Sequence, residues 1–389
     1  MAKPQPSLGP RPPRAAHHKR TALALQGGGA LGAYQCGVYQ ALYETGCEPD
    51  WISGVSIGAI NAAIIAGNSR ERRLERLRQF WETVSAQPGW LEPIVPFELR
   101  DLFNEISSAL TVLGGRPGFF EPRLPPPWLL PPKLAKVTSY YDTAPLRATL
   151  GELVDFDRLN DGEMRYSISA VDVELGNYKY FDTRPKGRKS AERIGPEHVM
   201  ASGALPPGLP PVEIGGRWYW DGGIVSNTPL MRILEDETSD GTLAFQVDLF
   251  SARGPVPANL ADAMERHKDI GYSSRTRLMT EMGKRLLDLR CAVTEVLAML
   301  PAESRDHHAV KRLSAFAADR VFDIVHLIYR SKYDESQSKD YEFSVTSMRE
   351  RWQTGYEDAR EALKNPAWLK PPRPGEAVRV FDPLRPMGG

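Results

Sequence analysis

Short apolar runs broken by glycine set the pattern of the first third of the chain. Thr21-Ala22-Leu23-Ala24-Leu25 gives way to Gly27-Gly28-Gly29-Ala30-Leu31-Gly32, and a brief apolar run ended by glycines predicts a buried strand and a loop. Small and apolar residues at mixed helical spacing follow from Ala33 to Glu44. A second run, Trp51-Ile52-Ser53, meets Gly54-Val55-Ser56-Ile57-Gly58, after which Ala59 to Ala66 is apolar except for Asn61. The predicted order is strand, glycine loop, helix, strand, sharp turn, buried helix. From Arg70 to Val84, Leu74, Leu77, Phe80, Trp81 and Val84 share one face, which predicts an amphipathic helix.

The pattern changes at 87. Prolines crowd residues 87–141 with Trp90, Phe97, Phe103, Phe119, Phe120 and Trp128 between them. Proline has no N–H and a fixed φ, so this stretch predicts an irregular insertion with one short helix near Leu99–Leu113. It is either an excursion packed on the core or a lid or mouth whose aromatics grip an apolar chain. Tyr166–Val173 and Tyr178–Phe181 flank Gly176-Asn177 as a hairpin. A small-residue helix at Met200–Ala204 is ended by Pro206 and Pro207. Strands follow at Val212–Ile214 and Trp218–Trp220, the second running into Asp221-Gly222-Gly223, with one more strand at Thr242–Phe250.

From about Asn259 the pattern is helical. Leu278, Met282, Leu286, Leu289, Val293 and Val296 recur at steps of three and four, predicting a long amphipathic helix that packs on the core, docks a protein or serves as a lid. A shorter helix at Lys311–Phe316, a strand at Val321–Tyr329 and a last helix at Ser344–Leu363 complete the sequence of elements. The expected division is a disordered basic, proline-rich tail at 1–20, an α/β domain at 21–258 carrying the insertion at 87–141, a mainly helical extension at 259–365 and a proline-rich tail at 366–389.

Composition narrows the function classes. Lys+Arg 49 balance Asp+Glu 49, so no global charge draws the chain to nucleic acid. Cys36, Cys47 and Cys291 have no metal-ligand spacing, and their odd number argues against a disulfide framework; reduced thiols and a cytoplasmic location are expected. The first apolar run is about five residues, short of the roughly seven to fifteen of a signal peptide. No run of about eighteen apolar residues predicts a membrane span, which leaves peripheral contact at the inner membrane open. No metal and no cofactor are expected.

The chemistry concentrates at Ser56. In G-x-S-x-G, Gly54 and Gly58 let the chain turn so tightly that the serine hydroxyl projects at a helix N-terminus. The glycine loop can present N–H groups where a carbonyl oxygen gains charge. Gly27, Gly29 and Gly32 also fit G-x-G-x-x-G, with Asp50 at about the distance of a ribose ligand, but a dinucleotide and an elbow serine would compete for one edge of the sheet. The serine needs a base. Of seven histidines, His198 alone lies near a motif, giving a Ser-His-Asp triad one candidate member. The alternative is direct proton transfer to Asp221, at a strand end before Gly222 and Gly223, with its pKa raised by burial. Asp172, at another strand end, is expected to terminate the strand or cap a loop.

Four blocks in this order resemble the patatin-like phospholipases: the glycine loop at Gly27–Gly32, the elbow at Gly54–Gly58, Ala201-Ser202-Gly203-Ala204-Leu205-Pro206-Pro207, and Asp221-Gly222-Gly223. The resemblance implies a three-layer α/β/α core over roughly Thr21 to Phe250, with the proline-rich insertion and helical C-terminal extension outside it. It implies a lipid or acyl-ester substrate, Ser56 as nucleophile, Asp221 as base in a Ser-Asp dyad, and oxyanion contacts from Gly27, Gly28, Gly29 and Ala30. Leu31 departs from the Arg or Lys common at that place, which shifts the implied substrate toward a smaller or neutral ester. The extension resembles that of a bacterial subgroup linked with 3-hydroxybutyrate metabolism, implying a 3-hydroxybutyrate dehydrogenase as partner. The competing function is a non-catalytic or partner-activated binding module on the same fold.

Overall fold

In chain order, β1 (Arg20–Leu25) leads through the glycine loop to α1 (Ala33–Thr45), β2 (Trp51–Gly54), α2 (Ile57–Ala66), α3 (Arg73–Ser85) and α4 (Arg100–Gly114). The short pair β3 (Glu121–Pro122) and β4 (Tyr141–Asp142) precedes α5 (Ala144–Leu153), α6 (Phe156–Asp161), β5 (Arg165–Asp172), β6 (Tyr178–Asp182) and α7 (Pro196–Ser202). Then come β7 (Val212–Ile214), β8 (Arg217–Asp221), α8 (Leu230–Leu234), β9 (Gly241–Asp248), α9 (Leu260–Met299), α10 (His308–Phe316), β10 (Val321–Ile328), α11 (Val345–Lys364) and β11 (Val378–Phe381). The computed structural model describes residues 15–86, 100–131, 137–184, 192–236, 241–318, 320–330, 339–364, 367–373 and 375–384.

Nine strands form one sheet along the path β11-β10-β9-β1-β2-β5-β8-β7, with β6 also on β5. The strands from β11 to β5 are parallel, whereas β6, β8 and β7 are antiparallel. Side chains of a strand alternate between faces. Leu23 and Leu25 accordingly join the core cluster that holds α1, α2 and α3, while Ala22 and Ala24 join the cluster with α8 and α9 on the other face. Helices therefore cover both faces of a mostly parallel sheet, a three-layer α/β/α architecture. From β1 the chain first adds strands toward β2 and β5, then returns to add β9, β10 and β11 on the other side. That reversal makes the carboxyl end of β1 a topological switch point, where sites form in such sheets.

Helix α1 lies close against α11 because both are glycine-bearing at the crossing. A Cβ on Gly37 would stand 1.9 Å from the Trp352 carbonyl oxygen, and one on Gly355 would stand 2.0 Å from that of Tyr34. Backbones approach this closely only where no side chain intervenes.

Three sequence expectations change. The stretch at 259–365 is not set apart, since β10 lies between β9 and β11 in the sheet. The tail expected at 366–389 contains β11, paired in parallel from Phe322↔Val378 to Val325↔Phe381. Of the N-terminal tail, 1–14 lie outside the described residues, but Arg20 begins β1, and His17 and His18 hydrogen-bond Asp323. The expectation for α9 changes as well. Leu278, Met282, Leu286, Leu289 and Val296 face solvent, while Gly283, Leu287 and Cys291 face the sheet. The inward face is set by fit: a Cβ on Gly283 would lie 2.8 Å from Leu234 Cδ1 and 3.1 Å from Met231 Sδ. Among the described residues no helix is long and apolar enough to cross a membrane.

Candidate active site

Ser56 stands between β2 and α2, with φ 56° and ψ −125°. It is the only non-glycine residue of positive φ among the described residues. Such a conformation costs on the order of 1–3 kcal/mol and persists only where the surroundings enforce it. Here the turn is pinned from three sides. Val55 N–H donates to the Leu25 carbonyl at 3.1 Å, Gly58 N–H to Val55 at 2.9 Å, and Ser56 N–H to the Ser202 carbonyl at 3.1 Å and to Ser202 Oγ at 3.2 Å. The elbow glycines are required sterically. A Cβ on Gly54 would meet the Gly58 carbonyl oxygen at 2.3 Å, and one on Gly58 would meet that of Leu25 at 2.3 Å. Gly58→Ala is therefore expected to lower stability by roughly 1–3 kcal/mol, read as an earlier urea midpoint.

The Asp221 carboxylate reaches the same point from β8. It is buried, accepts from Gly223 N–H at 2.7 Å and lines the same cavity as Ser56. Burial pushes its pKa up to about 7, although the bond from Gly223 N–H and the nearby Ser56 hydroxyl pull the other way. Gly222 and Gly223 clear the space around it, since a Cβ on Gly222 would lie 2.7 Å from the Ser169 carbonyl oxygen. Ser56 also caps the N-terminus of α2, whose dipole favours developing negative charge there.

The glycine loop crosses above both. Gly27 is held by Asn227: Gly27 N–H donates to the Asn227 carbonyl at 3.2 Å, and Asn227 Nδ2 donates to the Gly27 carbonyl at 2.9 Å. A Cβ on Gly27 would come 2.9 Å from Ser56 Cβ. Ala30 N–H donates to the Asp340 carbonyl at 2.9 Å. The four oxyanion candidates thus divide. Gly27 and Ala30 have their N–H groups committed to protein carbonyls, a correction to the expected set. Gly28 and Gly29 have no acceptor for theirs among the described residues, and both line the cavity with Ser56 and Asp221. Gly32 closes the loop against α2, where a Cβ would meet Ile57 Cγ1 at 2.6 Å. Asn61 ties it there, donating to the Gly32 carbonyl at 3.0 Å and accepting from Trp81 Nε1 at 3.0 Å.

These residues open on a cavity of about 310 Å³. Its wall comes from distant parts of the chain: Ile57 and Ile60 of α2, Phe119 and Phe120 of the insertion, and Tyr272, Tyr341 and Phe343 from beyond 259. No lysine or arginine is among its lining residues. Leu31 is buried in the core, so that position does not face the cavity.

Other candidates fall outside. His198 Nδ1 accepts from Gly195 N–H at 3.0 Å, and its ring stands edge-on to Phe181; it does not line the cavity. Asp172 caps a loop, accepting from Glu174 and Leu175 N–H and pairing with Arg217 at 2.7 Å. Asp50 accepts from Thr21 N–H at the amino end of β1, the opposite end from the glycine loop, so it cannot hold a ribose there. His17, His18 and Asp323 have a metal-ligand composition, but both Asp323 oxygens are taken by the Arg379 guanidinium, a cation already in place. Asn227, Ser202, Tyr272 and Asp340 went unassigned in the sequence. Asn227 lies six residues after Asp221 in a motif-like stretch; Asp340 has no local signal.

Comparison with known proteins gives the family. The family model described as Patatin-like phospholipase matches residues 23–234, more than half of the chain, and a second, described as Patatin phospholipase, matches residues 270–375. A triacylglycerol lipase of Schizosaccharomyces pombe is 47% identical over 87 residues, 22% of this chain and 18% of the lipase. A lysophospholipase of Candida glabrata is 25% identical over 248 residues, 62% of this chain. The chain spans 11% of that relative, so both curated relatives are much longer than their matched part. Among solved structures, VipD from Legionella pneumophila aligns with 90% of this chain and 67% of its own at 16% identity and a TM-score of 0.37. Human GIVD cytosolic phospholipase A2 aligns with 58% of this chain and 42% of its own at 14% identity and a TM-score of 0.33, and neither overlap is close enough to add to the argument. The family match spans β1, the elbow, the small-residue block and Asp221 together, and the chain belongs to the patatin-like phospholipase family.

Proposed function

We propose that this protein is a serine hydrolase of lipid acyl esters working through Ser56 and Asp221. The observation that carries this reading is a serine of strained backbone and a buried carboxylate lining one largely apolar cavity. In the first step Ser56 Oγ attacks the ester carbonyl carbon while Asp221 takes the hydroxyl proton. The tetrahedral oxyanion is held by the N–H groups of Gly28 and Gly29, each such donor being worth about 10²–10³ in rate. Collapse breaks the bond to the alcohol, which leaves with the proton from Asp221 and leaves Ser56 acylated. Water then loses a proton to Asp221, attacks the acyl carbon, and the second collapse releases the carboxylic acid and returns the proton to Ser56.

The cavity volume lies at the lower end of the range of about 300–1,000 Å³ for ligand pockets, and its aromatic wall suits one acyl chain. With no cation in the lining, the substrate is bound through its acyl part. The test is hydrolysis of p-nitrophenyl esters of increasing chain length and of phosphatidylcholine. Each is run with the pure protein, with cell extract and with a 3-hydroxybutyrate dehydrogenase, the partner implied by the C-terminal resemblance. Hydrolysis with a chain-length optimum supports the proposal. Activity that appears only with an added protein makes the enzyme partner-activated, and inactivity in every arm overturns it in favour of a binding module.

A further inference from the structure

Over its described side chains, helix α4 is built inside out: Asn104, Ser107, Ser108 and Thr111 are buried, while Ile106, Leu110, Val112 and Leu113 face outward, Leu113 at 72% exposure. Residues 106–115 contain no charged side chain. An amphipathic helix on a folded protein ordinarily turns such a stripe toward the core.

The rotation has a local cause. Arg116, just past the helix, is itself buried and lies over the Phe343 ring, 5.6 Å from its centroid. Its guanidinium donates to Thr111 Oγ1, and Thr111 Oγ1 in turn donates to the Ser107 carbonyl at 2.9 Å. A buried guanidinium needs such acceptors, so the hydroxyl face of α4 turns inward and the apolar face is left to the outside.

That face continues across the insertion to the cavity mouth. Tyr141 Oη donates to the Val112 carbonyl at 2.7 Å, and the rings of Tyr140 and Trp128 are 5.8 Å apart. Trp128 and Leu129 are exposed at 66% and 70%. Val112, Tyr140 and Tyr341 are exposed and also line the cavity. The cavity mouth thus shares Val112 and Tyr140 with a group of exposed apolar side chains larger than the ordinary scatter of single residues, with the Arg123–Asp142 ion pair beside it.

We infer that the outward face of α4, with Trp128 and Leu129, docks on the surface of a phospholipid bilayer and feeds esters to the cavity, an inference that rests on the acyl-hydrolase reading of Ser56. The lack of charge across residues 106–115 points to the apolar and interfacial part of the bilayer as its partner, with Trp128 at headgroup level.

The test uses the full chain carrying Ser56→Ala, so that vesicles are not consumed, floated with phosphatidylcholine vesicles with and without Leu113→Asp/Trp128→Asp. Neither residue lines the cavity. The expected result is flotation of the parent and loss of vesicle partitioning by about tenfold or more in the double variant. The same pair in the active protein should slow hydrolysis of vesicle lipid while leaving a soluble short-chain p-nitrophenyl ester within about twofold. A parent that does not float, or a variant that floats equally, overturns the inference. So does a dimer seen on size exclusion that Leu113→Asp dissociates, which would assign the face to a second copy. Absence of soluble-ester hydrolysis in the active protein would instead count against the Ser56 chemistry and leave the flotation result readable.

Discussion

Ser56→Ala is expected to reduce ester hydrolysis by on the order of 10⁴–10⁶ in kcat while leaving the thermal midpoint where it was. The loss follows from removing the proposed nucleophile, the serine that lines the cavity together with Asp221. The unchanged midpoint follows from the backbone. Ser56 is held by its own N–H on Ser202 and by the bonds of Val55 and Gly58, none of which uses the side-chain oxygen. Alanine inherits the positive φ with its strain, so neither gain nor loss is expected from that source. Kinetics on a soluble ester and a thermal melt of the same samples decide the matter. Full activity in the variant would remove Ser56 from the reaction, whereas loss of both activity and fold would make the elbow a structural feature.

Asp221→Asn is expected to be as inactive as Ser56→Ala yet more stable than wild type at neutral and alkaline pH. The folded-state pKa of Asp221 is pushed up to about 7 by burial, against about 3.9 in an unfolded chain. A raised value means that the stability present below the unfolded pKa is lost progressively as pH rises toward 7 and is fully lost above it. The difference corresponds to about 4 kcal/mol at the upper end, an order of magnitude for the cost of ionising this buried group. Asparagine carries no such cost. Urea midpoints of the two proteins should therefore coincide near pH 4 and separate up to pH 7, with a constant gap beyond. In the active enzyme the same group must be ionised to take the serine proton, so kcat/KM should rise with pH along a limb centred near 7. A flat profile across that range would remove Asp221 as the base.

Much of this architecture is legible locally. The glycine loop, the elbow and the strand running into Asp221 are each written in fewer than ten consecutive residues, because tight turns and close backbone approach demand glycine at fixed places. Direct proton transfer requires a raised pKa at Asp221, and the burial of its carboxylate supplies the cause. What local pattern could not give is which partner each group finds. Ala30 offers an N–H like those of Gly28 and Gly29, and only the fold shows Asp340 taking it. The periodicity of α9 located its apolar stripe and not the side facing the sheet, because Gly283 fits under Leu234 more closely than a leucine would. Val378–Phe381 is too short, and too surrounded by proline, to announce a strand; it exists because β10 presents an edge to pair with. Asp50 satisfied a spacing rule for nucleotide binding and belongs to the wrong end of the sheet, which is a fact of topology.

The bond from Ala30 to Asp340 joins the first loop of the protein to a segment near its other end. β1 likewise has β9 as one neighbour, so the middle strand of the sheet is flanked by a piece of chain made much later. Contacts of such long sequence separation form slowly. A growing chain still on the ribosome would carry the Ser56 hydroxyl while lacking the carbonyl that secures the glycine loop, the wall supplied by Tyr272, Tyr341 and Phe343, and one flank of its central strand. On the proposed function, the site would be assembled only once the residues up to Phe343 have been made and have folded back onto the glycine loop.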